Sequence, residues 1–289
     1  MELLIYLILF LFVLIISTTT NKLLPFLPLP LVQILLGIGI GLFIPNTDFH
    51  LNTELFLAMV IGPLLFREAE EADITSILKH WRIVVFLIFP VIFISTLSLG
   101  GMAHFLWMTL PLAACLAVGA ALGPTDLVAF ASLSERFRFP KRVSNILKGE
   151  GLLNDASGLV AFQMALAAWT TGTFSFSQAG TSLALSIFGG FVVGFVTAMV
   201  NRFLHSFLLS VRATDIASEL LLELSLPLMT FFIAEEIHVS GIIAVVVAGI
   251  LKASRFKKIT LLEAQVDTVT DTVWHTVTFM LNGSVFVIL

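Results

Sequence analysis

LPLAACLAVGAALGPTDLVAFASL, residues 110–133, is an apolar run broken at its middle by Gly123-Pro124-Thr125-Asp126. A helix needs about 20 mostly apolar residues to cross roughly 30 Å of hydrocarbon, so the run has the length of a membrane span. Pro124 removes a backbone donor and biases Gly123 away from helix, which predicts a break at mid-membrane. Asp126 is the one charged residue of the run and stands at that break. Capping of a second half-helix would be reason enough for an Asp there. A broken helix also exposes free carbonyl and amide groups in the membrane, so Asp126 is read as functional too.

Composition extends this reading to the whole chain. Its 289 residues are 58% hydrophobic and 12% charged, with 27 Phe and one Tyr, and the mean hydropathy is +1.05. Globular proteins carry about 25% charged residues, and this chain has too few to cover a solvated surface. Ten runs read as spans: Glu2–Thr18, Leu27–Ile44, Glu54–Ala69, Arg82–Leu106, Leu110–Leu133, Asn145–Trp169, Ala179–Leu208, Ile216–Glu235, Val239–Leu251 and Thr268–Leu289. The fold class is therefore an all-α polytopic membrane bundle of about ten spans, one of them broken near Asp126. A net charge of −4 excludes nucleic-acid binding through bulk positive charge. A single cysteine, Cys115, in an apolar run excludes a disulfide scaffold and reads as a small buried hydrophobe.

The basic residues orient the bundle. Lys22, Lys79 with Arg82, the cluster Arg136, Arg138, Lys141, Arg142 and Lys148, then Arg202 with Arg212, and Lys252 with Arg255, Lys257 and Lys258 all fall between or beside odd-numbered spans and their successors. The connections after spans two, four, six and eight contain none, and Arg67 near the end of span three completes the set. The positive-inside bias then makes the odd connections cytoplasmic and places the N-terminus outside. Met1-Glu2 runs straight into apolar residues with no basic leader region, so the first span reads as retained. The glycine pairs Gly37/Gly41, Gly119/Gly123 and Gly190/Gly194 are spaced for close helix contact.

Charges inside a bilayer are costly and mark cavities or pathways. Besides Asp126, three groups stand out. Gly149-Glu150-Gly151-Leu152-Leu153-Asn154-Asp155, early in span six, puts Glu150 and Asn154 on one helix face, with Asp155 turned about 100° from Asn154. A carboxylate beside a carboxamide offers hard oxygens suited to a small hard cation such as sodium. Pro63-Leu64-Leu65-Phe66-Arg67-Glu68-Ala69-Glu70-Glu71 closes span three; most of its charges read as a solvated helix end, with Glu68 the candidate for facing inward. Glu219 with Glu223, and Glu235-Glu236 before His238, read as interfacial groups or members of internal ion pairs. The six His show no metal-ligand spacing and no nucleophile–base order, so neither a resident metal nor an enzyme is expected.

At these residues the sequence resembles the bacterial sodium/hydrogen exchanger family, in the Asn-Asp branch of the monovalent cation:proton antiporters. The matching blocks are Pro63-Leu64-Leu65-Phe66, Pro124-Thr125-Asp126, Gly149-Glu150 with Asn154-Asp155, Ala234-Glu235 through Ser240-Gly241, and Phe279 through Asn282-Gly283. They run the length of the chain in family order, and the Thr-Asp plus Asn-Asp combination is the specific one. The resemblance implies a homodimeric, lipid-embedded antiporter of the bacterial inner membrane, with an inverted-repeat fold of about thirteen spans. It implies no cofactor. Asp155 would hold a proton or the cation in turn, Asn154 would support it, Asp126 and Thr125 would complete the cation shell, and Glu68 would contribute from span three. Glu150 would form an ion pair with an arginine of a later helix.

Within a single transport domain over residues 1–289, the resemblance implies that spans 1–3 and 8–10 are scaffold and dimerisation elements. Spans 4–6 would then form half of the ion-transport core. Two departures from the family pattern follow. Gly151 stands where some relatives carry Ser, and the later core helices lie beyond Leu289, so a C-terminally truncated chain is expected. The expected function is electroneutral exchange of a monovalent cation, sodium first, for protons, serving pH and sodium homeostasis. The alternatives are a transport-inactive remnant of such an antiporter and a cation channel, although no filter-like loop is recognisable.

Overall fold

The computed structural model describes residues 2–24, 26–43, 52–72, 79, 81–124, 140–171, 176–211, 215–253 and 261–288. Within those segments some side chains, that of Asp155 among them, lie outside the described set. Ten helices are present among the described residues, one for each expected span. They are α1 (Glu2–Leu23), α2 (Leu29–Phe43), and α3 (Thr53–Phe56, a π-helical turn Leu57–Ile61, and Gly62–Glu71). Next come α4 (Trp81–Leu106), α5 (Leu112–Leu122), α6 (Lys141–Thr171) and α7 (Phe176–Ser210). The last three are α8 (Ile216–Glu236), α9 (Gly241–Ala253) and α10 (Leu261–Ile288).

Two stretches, Ala184–Ser210 within α7 and all of α8, are by themselves long and apolar enough to cross a bilayer. The outward face of α7 carries Phe188, Phe191, Phe195, Phe203 and Phe207, all exposed, as lipid contact requires. At 13 residues α9 is only about 20 Å long. It packs on α3, α7 and α8, with Gly241, Ile242, Ala244, Val245, Val246, Ala248 and Gly249 buried.

Two sets of helices emerge from the packing. α4, α5 and α6 pack on one another; α7, α8, α9 and α3 form a second set, joined by α10, which also contacts α2 and α1. α3 touches both sets, because its Gly62–Glu71 segment packs on α9 and also meets α6. The buried core of the larger set is built from Phe66, Phe231, Ile242, Val245 and Trp274.

Small residues set the closest approaches. A Cβ on Gly119 would lie 2.6 Å from the backbone of Gly100, so α4 and α5 meet backbone to backbone. A Cβ on Gly190 would lie 2.7 Å from Ser240 O, one on Gly194 would overlap Ala244 O, and one on Gly37 would lie 2.5 Å from Val287 O. Gly41 departs from expectation, because among the described residues nothing lies within 4 Å of its Cβ position. Its partner in the spacing pattern makes the contact alone.

The π turn in α3 has a local cause. Pro63 cannot donate to the carbonyl four residues back, and its ring crowds that group. The helix shifts register by one residue, so that Gly62 N–H bonds to Leu57 O five residues earlier. Such turns recur at functional sites, and this one lies two turns before Glu68.

Candidate ion site and an inter-helical charge network

α5 stops where Pro124 predicts, its last helical residue being Leu122. Pro124 has no N–H to give to Ala120 O, so that carbonyl loses its helical donor at mid-span. α6 passes directly behind the break. Gly158 is buried there, and a Cβ on it would overlap the Pro124 ring and lie 3.5 Å from Ala120 O. Thr125 and Asp126, together with the rest of residues 125–139, lie outside the described residues.

One turn before Gly158, α6 carries the buried pair that the shared face implied. Asn154 is 1% exposed and Glu150 6%. Asn154 Nδ2 donates to Glu150 Oε1 at 2.8 Å. This bond commits the amide nitrogen and leaves Oδ1 as the acceptor end of the side chain, a hard oxygen. Glu150, Asn154 and Gly158 stand four residues apart, so one stripe of α6 carries the carboxylate, the amide and the contact with Pro124. Asp155 occupies a helical position of α6 one turn past the buried Gly151. Glu68 is half-buried on α3, the helix that packs on α6. The structure thus joins Glu150 to Asn154 and Gly158 to Pro124; the side chains of Asp155, Asp126 and Thr125 lie outside it.

Of the charges ending span three, Arg67 and Glu70 are not part of the solvated helix end that the sequence suggested, whereas Glu71 is exposed. Arg67 Nη1 donates to Glu70 at 3.0 Å and its Nη2 to Asp271 of α10 at 2.8 Å, while its Nε lies 2.7 Å from Glu71. Glu70 reaches Lys252 of α9 at 3.3 Å, and Lys252 reaches Glu223 of α8 at 2.5 Å. Trp274 Nε1 also donates to Glu223, at 3.0 Å. The Lys252 ammonium lies 5.6 Å from the centre of the Phe66 ring, within cation–π range. Arg67, Glu70, Lys252 and Glu223 are each largely withdrawn from solvent. One turn before Glu223, Glu219 pairs with His205 of α7 at 3.2 Å. Glu219 and Glu223 therefore take the internal ion-pair alternative. Burial turns what would be weak surface contacts into pairs that are costly to break.

At the other face, Glu235 Oε1 accepts from Gly241 N–H at 3.3 Å, tying the end of α8 to the start of α9. The chain turns there with His238 at φ 60°, a left-handed conformation outside glycine's usual monopoly. His238 N–H bonds to Glu235 O and Val239 N–H to Ala234 O, closing α8 in a Schellman pattern. Sequence reading missed this turn and the charge network alike. The i,i+4 spacings of Arg67/Glu71 and Glu219/Glu223 were the visible signals, but the partners on other helices were not.

Residues 7–289 match a protein family described as sodium/hydrogen exchanger, transmembrane. A sodium, potassium, lithium and rubidium/H(+) antiporter of Bacillus subtilis (strain 168) is 36% identical over 274 residues, 95% of this chain and 41% of the relative. An uncharacterized Na(+)/H(+) exchanger of Escherichia coli (strain K12) is 32% identical, over 94% of this chain and 50% of the relative. The chain thus spans about half or less of the length of these relatives. The sodium proton antiporter MjNhaP1 from Methanocaldococcus jannaschii has the same fold, with a TM-score of 0.74 at 20% identity over 99% of this chain and 70% of that one.

Proposed function

This chain belongs to the sodium/hydrogen exchanger family, and we propose that it exchanges a monovalent cation, sodium first, for protons on a single carboxylate, Asp155. The observation that carries the reading is the buried Glu150–Asn154 hydrogen bond on the α6 stripe that meets Pro124 at the helix break. A polar pair costs too much in a membrane span to be kept there for packing alone.

The chemistry is competition. An ionised carboxylate withdrawn from water is costly unless neutralised, so Asp155 carries either a proton or a cation. Asn154 Oδ1 and the oxygens of Thr125 and Asp126 complete the cation's shell, and Glu68 contributes from α3. Glu150 acts as a positioning residue: by accepting from Asn154 Nδ2 it fixes which end of the amide is available to the site. Movement of either loaded form, but not of the empty anion, couples the two fluxes. With Asn rather than a second Asp at position 154, the exchange is electroneutral.

α1–α3 and α8–α10 serve as scaffold and dimer contact, and α4–α6 as half of the moving core. The N-terminus lies outside the bacterial inner membrane, no cofactor is required, and the working unit is a homodimer. Sodium-driven pH change in vesicles carrying the chain tests the reading. Asp155→Asn, which keeps size and hydrogen bonding but loses the titratable oxygen, should abolish the signal at matched abundance. Ser157→Ala, about 200° around the helix from Asp155, should leave most of it. Undiminished exchange by Asp155→Asn would sink the mechanism.

A further inference from the structure

We propose that the crevice between α7, α8 and α9 seats the phosphate of an anionic phospholipid, with Arg202 as its main contact and the acyl chain laid along α7. The site is separate from the exchange mechanism; it requires only that the chain spans a membrane. Charge is the first support. Arg202 is the sole Lys, Arg, Asp or Glu of α7, and it is exposed. Apolar surface continues on both sides of it: Val196 and Val200 before, Phe203 and Phe207 after, are all exposed. An unpaired guanidinium within an apolar stretch of a span is costly, and a counter-charge relieves that cost. Among the described residues no acid supplies it. Glu219 and Glu223, the acids of the neighbouring α8, are taken by His205 and by Lys252 with Trp274. The remaining source of negative charge at a lipid-facing surface is the lipid.

Shape is the second support. A crevice of about 20 Å³ lies between the three helices, with Met199, Leu226 and Leu251 as apolar walls and Asn201, Arg202 and Lys252 as polar ones. That volume holds little more than a water molecule, so it accepts one polar group of a larger molecule lying on the surface. Asn201 spends one amide hydrogen on Leu222 O at 3.3 Å and keeps the other as a donor. The Lys252 ammonium is already engaged by Glu223 and Glu70. Arg202 therefore supplies the net attraction, and its planar fork suits two phosphate oxygens at once.

The third support is the surface that leads away from Arg202. Phe195, Phe191 and Phe188 stand seven, eleven and fourteen residues before it, all on its side of α7, and all three are exposed. Eleven residues of helix rise about 16 Å, about half of a hydrocarbon core of roughly 30 Å. A phosphate on Arg202 thus places an acyl chain of one leaflet along these rings. A free anion would use the guanidinium but leave the apolar track unexplained.

The test uses the purified chain in uncharged detergent and adds phosphatidylglycerol, phosphatidylcholine or inorganic phosphate. Apparent affinities are read from the ligand-dependent rise in melting temperature. The parent should respond to phosphatidylglycerol well below the concentration at which phosphatidylcholine acts, and not to inorganic phosphate at matched concentration. Arg202→Gln should weaken the phosphatidylglycerol response about five- to tenfold, the effect of one basic contact to an anionic headgroup. Arg202→Lys, which keeps the charge and loses the fork, should fall between the two and still prefer phosphatidylglycerol. Lys22→Gln, at an exposed charge near the end of α1, should behave like the parent. Equal responses to the two lipids overturn the proposal, as does Arg202→Gln with parental affinity. An equal loss by Lys22→Gln also overturns it, because the attraction is then diffuse charge. A response to inorganic phosphate that matches the lipid's makes the crevice a free-anion site and overturns it too. If Arg202→Gln melts lower without lipid, Arg202→Lys decides: a lysine chain with no preference for phosphatidylglycerol sinks the assignment. An Arg202→Gln chain that changes oligomeric mass and keeps its lipid response gives this face to a second copy instead.

Discussion

Lys252 is the joint of the charge network between α3, α8 and α9, and removing its charge is the most informative single change outside the ion site. Its side chain is 10% exposed and lies within 2.5 Å of Glu223 and 3.3 Å of Glu70. Breaking a buried ion pair by deleting one partner costs about 3–5 kcal/mol, because the surviving charge is left without compensation. Here two carboxylates survive, but neither is stranded. Glu70 keeps Arg67 at 3.0 Å, and Glu223 keeps the Trp274 indole at 3.0 Å. Lys252→Met also keeps most of the length of the apolar stem. The expected loss therefore sits at the lower end, about 3 kcal/mol. Adding Glu223→Gln to Lys252→Met removes the carboxylate charge that has then lost its cation and keeps only the indole, so the double variant should recover about 1–2 kcal/mol. Denaturation of the purified chain, followed by the fluorescence of buried Trp274, gives all four corners of the cycle. Additive losses, or a Lys252→Met chain as stable as the parent, would show that the network is a solvated cluster after all.

Gly158→Ala should cost about 1–3 kcal/mol by overpacking against Pro124 and should also weaken sodium-dependent stabilisation. Gly194→Ala, whose Cβ would meet Ala244 O far from the break, should cost stability of the same order and leave the sodium response intact. His238→Gly should raise stability by up to about 1 kcal/mol, because glycine adopts φ 60° without strain; a loss, measured in the same denaturation assay, would refute the reading of that turn. Asp215, the N-cap of α8, accepts hydrogen bonds from the Ser218 hydroxyl and from Ser218 N–H at 2.8 Å. These bonds hold its carboxyl below the ordinary carboxylate range. A lowered folded value means a contribution present above about pH 4 and lost as pH falls through that lower value. The gap in melting temperature between parent and Asp215→Ala should therefore be constant from pH 7 to about 5 and shrink in stronger acid.

The described helices follow the sequence because hydrocarbon imposes one rule on every span: backbone groups bond within the helix and side chains are apolar. That rule is local and can be read residue by residue, as is the stop that Pro124 sets for α5 at Leu122. Glu150 and Asn154 were legible for a similar reason, since four-residue spacing fixes a shared face before any tertiary contact exists. What sequence could not supply was the partner on another helix. Arg67 finds Asp271 two hundred residues away, and nothing near Arg67 or near Asp271 encodes the other. The same limit explains Gly41, whose spacing fits a helix contact although no described residue comes within 4 Å of its Cβ position. A membrane protein's local grammar thus names the carboxylates, while the short residues that let helices touch decide which spans meet.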